Sequence, residues 1–328
     1  MTTSSYIRIK CLGTGTKLSP KSFIIETSTN KYLFNSGEYL QRILSEHNVS
    51  NTTDIFFTNS SWSSFSGLLG ITLMIKANIN KKFTLHGPDF TANMMKLLRR
   101  FSDTETSIDY VHNKIWENGY SDNNFLMKCY ETNHESLSLY TYLFRPFKLP
   151  PKINIEKCRD LGFTPKILKS PVMKLLKEGQ SITLESGKII QPSDVTFEPE
   201  QAKNFLVLDC PSEDVISGYL KNDNLFESLQ AIEDDHRCTK DLGLIIHLLP
   251  KGLFEKSSYQ NLIEKLLSSS NTSAKNVRHF VIDENDEMPA FISHYMNSVV
   301  MNRLIDEKSF PVPAALESFN PNYQFDDE

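Results

Sequence analysis

The sequence predicts an α/β protein in which strands and helices alternate along most of the chain. Short β-type runs end in Gly, Asn or Ser turns, and segments with helical spacing of apolar residues lie between them. The 328 residues are 39% hydrophobic and include 21 Phe, so they can bury a substantial core in one large domain or two modest ones. Such alternation is typical of sheets covered by helices.

The chain opens with three predicted strands. Residues Tyr6–Leu12 alternate in polarity as a strand does, and the turn at 13–15 contains two glycines, which adopt the backbone angles of tight turns. Two further β runs, Ser22–Glu26 and Lys31–Phe34, are joined by a polar turn at 28–30. These two runs therefore predict a β-hairpin.

Helices and strands then alternate. Leu40, Ile43 and Leu44 have helical spacing and predict a helix over 38–45. A β run at Asp54–Thr58 leads into a predicted buried helix over Ser63–Lys76. A strand at 83–85 precedes a helix through 94–98, because Gly87-Pro88 stops the strand.

A basic segment covers residues 150–190. It holds eight Lys and Arg against four Asp and Glu, whereas the whole chain has a formal net charge of −5. Ser170 as N-cap and Pro171 at the first position predict a short helix over Val172–Glu178. The following ITLESGKII reads as strand, turn and strand. We expect this segment to stand as a positive island on an acidic body.

The last third resumes the α/β pattern. Strands are predicted over Asn204–Asp209, Leu242–Leu249 and Val277–Ile282. Helices are predicted over Tyr259–Leu267 and Ala290–Leu304, where apolar residues share one helical face.

Cysteine usage and the absence of targeting signals limit the cellular setting. The five cysteines are widely spaced without a C-x-x-C pair: Cys11, Cys129, Cys158, Cys210 and Cys238. This argues against a disulfide framework and against a thiolate zinc site. No signal peptide or membrane-length apolar run is visible, so we expect no membrane partner and predict the nucleus or cytoplasm. A product translated from an alternative start site would also be expected in the mitochondrial matrix.

Several segments resemble ribonuclease Z proteins in order and spacing. GTGT at 13–16, YLFNSGEYLQR at 32–42 and FFTNSSWSSFSGLLG at 56–70 are similar to the opening loop, the YLFDCGEGTQR-type segment and the metal motif. LGFTP at 161–165 and the sequence at 176–195 are similar to the flexible arm of that family, which grips tRNA. The chain is identified as resembling the amino-terminal half of a long-form ribonuclease Z.

The resemblance implies a metallo-β-lactamase-like αβ/βα sandwich with an inserted, protruding arm. It predicts one domain over residues 1–312, with the arm at 148–197, and an acidic tail or linker at 313–328. In the family, the motif T-H-x-H-x-D-H-x-x-G-L supplies ligands to two zinc ions. Here Thr58, Gly67 and Leu68 match that motif.

The metal motif is degenerate in this chain. Neutral side chains occupy the ligand positions: Asn59, Ser61, Ser63 and Ser64. Imidazole and carboxylate hold zinc in such sites, and amides or hydroxyls do not replace four of them. The eight histidines form no H-x-H pair. We therefore predict no metal, no cofactor and no catalytic residue in this chain, which alone would be inactive although the family is a zinc-dependent endoribonuclease.

Three other residues bear on the predicted former metal site. Asp209 in VLDCP is either the equivalent of the aspartate that bridges the metals in the family or an ordinary strand-end residue. Trp62 and Phe65 are interpreted as packing residues that fill the vacated metal space and leave a buried, dry former site.

The predicted function follows from the resemblance and from the basic segment. Lysines suit phosphate contacts, so five of them are candidate RNA ligands, although lysine-rich surfaces also serve solvation alone: Lys166, Lys169, Lys174, Lys177 and Lys188. The resemblance implies tRNA 3′-end processing by a non-catalytic, tRNA-binding half, with precursor tRNA and a catalytic carboxyl half, in cis or in trans, as partners. The alternative is a free-standing pseudoenzyme or adaptor that scaffolds another RNA-processing nuclease.

Overall fold

The computed structural model describes residues 6–16, 19–45, 52–79, 83–98, 110–114, 119–147, 153–163, 172–177, 180–183, 189–197, 203–230, 238, 241–270, 276–284 and 299–311. Within these ranges, two six-stranded sheets face each other and helices cover their outer faces. The α/β class is confirmed, and the layers form the αβ/βα sandwich that the resemblance implies.

The first sheet follows the order of the chain. Its strands are β1 (Ile7–Gly13), β2 (Ser22–Thr27), β3 (Lys31–Phe34), β4 (Thr52–Phe56), β5 (Phe83–His86) and β6 (Tyr110–Asn113). The strands β1 to β3 are antiparallel, whereas β3 to β6 run parallel. The loops after β3 and β4 consequently emerge at one edge of the sheet.

The second sheet has the spatial order β14-β13-β12-β9-β8-β7. Its strands are β7 (Tyr120–Ser121), β8 (Phe125–His134), β9 (Leu137–Pro146), β12 (Asn204–Asp209), β13 (Leu242–Leu249) and β14 (Arg278–Asp283). A separate small pair is formed by β10 (Ile182–Thr183) and β11 (Ile189–Ile190). Because β12, β13 and β14 run parallel, their carboxyl ends lie at one edge.

The described helices are mostly short. They are α1 (Leu40–Ser45), α2 (Trp62–Phe65), α3 (Leu68–Ile79), α4 (Asp89–Leu98), α5 (Ile155–Asp160), α6 (Val172–Lys177), α7 (Pro192–Val195), α8 (Ile216–Leu220), α9 (Asp223–Gln230), α10 (Ser257–Ser269) and α11 (299–304). None of those in the described ranges combines the length and the apolar character needed to cross a membrane.

The space between the two sheets is filled by aromatic side chains. Phe34 stacks on Phe56 with ring centroids 4.9 Å apart, and Phe144 stacks on Phe205 at 4.8 Å. All four are at most 3% exposed. Burial of each ring stabilises the fold by about 1.5–3 kcal/mol, and ring pairing adds to this. This core holds the two sheets face to face.

Most sequence-predicted elements are present, with differences at their ends. The strands Asn204–Asp209 and Leu242–Leu249 are confirmed with the same bounds. The hairpin of β2 and β3 is also confirmed, and its bounds differ from the prediction by one residue. The helix predicted over Ser63–Lys76 is divided into α2 and α3, because the chain turns at residues 66–67. The prediction missed the long hairpin of β8 and β9 and the helices α8 and α9. Part of the helix predicted over Ala290–Leu304 lies outside the described residues.

The basic segment has a small core of its own. In the chain it follows β9 and precedes β12, and these two strands pair with each other in the second sheet. Helix α5 begins with Asn154, whose side chain accepts hydrogen bonds from two backbone amides of the first turn. Among the described residues, the segment's buried apolar side chains form one cluster with Val195, which follows the segment: Cys158, Phe163, Leu176, Ile182 and Ile190. The domain limits at 148–197 and 313–328 stay predictions.

The candidate RNA-binding lysines are only partly within the described residues. Lys174 and Lys177 belong to α6. Lys166, Lys169 and Lys188 lie outside the described ranges. The structure therefore gives two of these positions a helical backbone.

Candidate functional site

The segment that the sequence predicts to be a degenerate metal motif lies where the loop after β4 meets the second sheet. The Thr58 carbonyl accepts a hydrogen bond from the Tyr140 amide at 2.8 Å. The Ser60 amide donates to the Ser138 carbonyl at 2.9 Å, and the Ser60 hydroxyl accepts from the Ser138 amide at 2.9 Å. The loop is thus attached to β9 although β4 belongs to the first sheet.

The Asn59 carboxamide is the centre of the site. Its Oδ1 accepts hydrogen bonds from the Ser61 amide at 2.9 Å, the Ser61 hydroxyl at 2.5 Å and the Ser64 hydroxyl at 2.7 Å. Its Nδ2 donates to Asp209 Oδ2 at 2.6 Å. The Ser63 hydroxyl contacts Ser61 Oγ at 2.7 Å. All four degenerate motif positions therefore converge on one hydrogen-bonded cluster.

Asp209 ends β12 and is 2% exposed. Its Oδ2 also accepts a hydrogen bond from the Thr58 hydroxyl. Asn35 supports that hydroxyl, because its Nδ2 donates to Thr58 Oγ1 at 2.9 Å. Burial raises the pKa of Asp209, while the bonds from Thr58 and Asn59 and the charge of Lys21 act in the opposite direction. Asp209 is thus brought to the motif, as one of its two interpretations requires.

A polar cleft of about 280 Å³ opens beside this cluster. Lys21 and Glu284 form an ion pair there, with Nζ and Oε1 2.9 Å apart. The remaining residues that line the cleft are Gly15, Pro20, Asn35, Asn59, Ser61, Ser63, Ser64, Leu137, Asp209 and Pro211. The predicted former metal site is therefore open to solvent on one side.

The interpretation of Trp62 as a filler of the metal space is wrong, and that of Phe65 is right only in part. The Trp62 side chain is 62% exposed, and its ring packs edge-on against Phe65 with centroids 5.1 Å apart. Phe65 is buried, but it packs against the helices that cover the first sheet. The expected dry site is not formed, because hydrogen-bonded polar side chains occupy its buried part.

Gly37 and Gly67 allow two backbone segments near the motif to approach each other closely. A side chain on Gly67 would meet the Gly37 carbonyl oxygen at 2.2 Å. The Gly67 amide also donates to the Ser36 carbonyl at 2.7 Å. These glycines let the loop after β3 and the start of α3 touch, which places the motif beside Asn35.

The donor set does not fit a zinc ion. Within the described residues, no three His, Cys, Asp or Glu side chains come together as metal ligands. His247 and His279 do meet, with Nε2 and Nδ1 2.9 Å apart, but the other side chain bonded to His247 is Tyr259. At the motif, Asp209 is a single carboxylate surrounded by amide and hydroxyl groups, which hold zinc poorly.

Sequence reasoning missed three residues of the site. Asn35 belongs to the YLFNSGEYLQR segment, so the resemblance carried a signal for it. Lys21 and Glu284 had none, because they are far apart in the chain and meet only through the fold.

Comparisons with known proteins agree with this architecture. No protein-family model matches the chain. It is 28% identical over 269 residues to "Ribonuclease Z, mitochondrial" of Drosophila melanogaster, which covers 80% of this chain and 34% of that protein. It is 25% identical over 334 residues to "Zinc phosphodiesterase ELAC protein 2 homolog" of Caenorhabditis elegans, which covers 94% and 38%.

A solved structure supports the fold. The long form RNase Z from yeast matches with a TM-score of 0.56 and 15% identity, over 91% of this chain and 38% of that chain. The layers and this match define a protein of the metallo-β-lactamase fold. The sequence relatives and this structure make the chain similar to ribonuclease Z proteins over most of its length. The chain spans little more than a third of the length of the curated relatives it matches.

Proposed function

We propose that the chain takes part in tRNA 3′-end processing as the non-catalytic, tRNA-binding amino half of a long-form ribonuclease Z. The similarity to ribonuclease Z and zinc phosphodiesterase proteins supports the processing role. The observation that carries the non-catalytic assignment is the hydrogen-bonded cluster at the motif. There, Asn59 and its neighbours, which the resemblance aligns with metal ligands, bond to one another and to Asp209.

The chemistry of the cluster supports an inactive site. Hydrolysis of a phosphodiester needs an activated water and stabilisation of the developing negative charge. Asp209 accepts two hydrogen bonds from neighbouring side chains, and the Lys21 ammonium is paired with Glu284. Neither group is therefore available to activate a water molecule or to stabilise the developing negative charge. Cleavage of the 3′ trailer from precursor tRNA is then the task of a catalytic carboxyl half, acting in cis or in trans.

RNA binding is proposed for the basic segment. Lys and Arg neutralise phosphates, and a folded RNA is recognised largely through its shape and backbone. The segment is the basic part of a chain whose formal net charge is −5, so charge favours contact there over the acidic body. Its small core gives the lysines of α6 a folded support.

The binding proposal is tested by fluorescence anisotropy with labelled precursor tRNA. We expect the combined Lys→Glu change at 166, 169, 174 and 177 to weaken binding about tenfold or more at 100 mM salt. The slope of log K against log salt should fall by about 3, because four phosphate contacts are lost. The matched control carries the same change at four exposed lysines elsewhere, Lys96, Lys221, Lys251 and Lys308. Equal affinity of both variants would contradict the proposal.

The non-catalytic assignment is tested separately. The purified chain is incubated with end-labelled precursor tRNA and zinc or manganese, and the products are separated on a denaturing gel. We expect binding without release of the trailer. Trailer release that copurifies with the chain and disappears in the Asp209→Ala variant would overturn the assignment.

We also propose the nucleus or cytoplasm as the compartment, with an additional mitochondrial pool. The Drosophila relative is named as mitochondrial, which supports the second part. Immunofluorescence with an antibody against this chain would show whether one or both pools exist, and an exclusively secreted product would refute both.

A further inference from the structure

The motif cluster connects the two sheets through side chains as well as through the backbone. Thr58 and Asn59 follow β4 of the first sheet, and both donate to the carboxylate of Asp209 at the end of β12 in the second sheet. Asp209 is fixed from the other side, because the Tyr219 hydroxyl of α8 donates to its carbonyl at 2.5 Å. The connection is buried, since Thr58 is 0% and Asn59 6% exposed.

We propose that this cluster is a metal-independent clasp between the two sheets, in which the Asn59 carboxamide forms the cross-link. The clasp consists of Thr58, Asn59, Ser61, Ser64 and Asp209. It is independent of the proposed RNA-binding function, because none of its members belongs to the basic segment. The degenerate motif is thus assigned a structural role of its own.

The chemistry of a carboxamide suits this role. It has an N–H donor for the Asp209 carboxylate and a carbonyl acceptor for the hydroxyls of Ser61 and Ser64. A carboxylate at position 59 would offer acceptors only and would face Asp209 with a like charge. A shorter Ser would not reach both sides. The amide of Asn59 therefore satisfies both halves of the cluster at once.

The position of the clasp gives it mechanical importance. Backbone bonds attach the same loop to β9, next to β12 in the second sheet. Breaking the Asn59–Asp209 bond would leave a buried carboxylate with one fewer donor, which is costly in a poorly solvated place. The loop after β4 would then be held to the second sheet mainly by its backbone bonds.

Metal independence is tested on the full chain by thermal unfolding at pH 7.5. The melting temperature is measured after chelation with EDTA and after addition of one equivalent of zinc, with metal content determined by mass spectrometry. We expect shifts below about 1 °C, because a ligand stabilises only the state that binds it. A clear fall with EDTA, together with bound metal, would overturn the proposal.

The cross-link is tested with Asn59→Asp, which keeps the shape and removes the donor. We expect a loss of about 5 °C or more in melting temperature at pH 7.5, whereas the matched change Asn93→Asp at an exposed position of α4 should have little effect. The decisive variant is the exchange Asn59→Asp with Asp209→Asn, which restores one donor and one acceptor. It should recover more than half of the loss. Absence of recovery, or an unchanged single variant, would refute the clasp.

These outcomes separate the clasp from the proposed function. Precursor tRNA affinity at a temperature where each variant is folded should stay within about twofold of the wild type. The measurements can therefore refute the clasp without refuting RNA binding, and they can refute RNA binding without refuting the clasp.

Discussion

One buried histidine, His247, should make a large contribution to the acid sensitivity of the fold. His247 lies on β13 with its Nδ1 2.7 Å from the Tyr259 hydroxyl and its Nε2 2.9 Å from Nδ1 of His279. Burial and, to a smaller extent, the charge of His279 lower the pKa of His247 from 6.5 to about 3. The native state therefore keeps this ring neutral at pH values where the unfolded chain binds a proton.

The sign and the size of the effect follow from proton linkage. A histidine with a depressed native pKa contributes stability that is fully present above the unfolded value of 6.5 and is lost as pH falls towards 3. Each pH unit inside that window costs about 1.4 kcal/mol. Between pH 7.5 and 4.5, His247 alone should lower the free energy of unfolding by about 3 kcal/mol. Above pH 6.5 it should contribute almost no pH dependence.

The measurement is urea unfolding at pH 7.5, 6.5, 5.5 and 4.5 for the wild type and His247→Gln. Glutamine lowers stability at every pH by disturbing the Tyr259 bond, but it removes the titration, so its pH profile should be flatter by about 3 kcal/mol over this range. His86 is also buried with a lowered pKa and acts in the same direction in both proteins. His134→Gln serves as the control. Parallel profiles for the wild type and His247→Gln would refute the reasoning.

Two further changes address the site and the core. Asp209→Asn should leave the free energy of unfolding at pH 7.5 unchanged or raise it, because burial raises the pKa of this carboxyl and so disfavours its charged form; urea titration measures it, and a loss above about 1 kcal/mol, the size of one hydrogen bond, would contradict the expectation. Phe56→Ala should cost about 3–5 kcal/mol by the same assay, because the ring is fully buried and stacks on Phe34 and His86; a cost below about 1 kcal/mol would show that the core between the sheets repacks.

The sequence predicts strands well where their ends carry turn residues. β12 and β13 are apolar runs between polar or Pro-containing turns, and both were found with correct bounds. The hairpin of β8 and β9 was missed for a physical reason. Its turn is formed by Glu135 and Ser136, and Glu135 adopts a φ of 52°, which usually favours Gly or Asn. Strand β9 is also buried on both faces over most of its length, so it shows little alternation.

The motif positions of the site were predictable, but their interactions were not. The resemblance picked out Asn59 and its serine neighbours and suggested a place for Asp209. Pattern reasoning could not foresee that one amide would join them, because a hydrogen-bond network depends on side-chain directions in three dimensions. Trp62 shows the same limit. An aromatic residue within a motif indicates packing, yet its ring lies outside the cleft.

One buried carboxylate explains why the side chains at the motif are polar. Asp209 lies at the end of a central strand, where an unsatisfied charge would cost several kcal/mol. Apolar side chains at positions 58 and 59 would fill space but leave that cost in place. Thr58 and Asn59 supply donors, and Ser61 and Ser64 satisfy the acceptor that Asn59 brings with it. The members are therefore coupled, and we expect the effects of Asn59 and Asp209 substitutions on stability to be strongly non-additive.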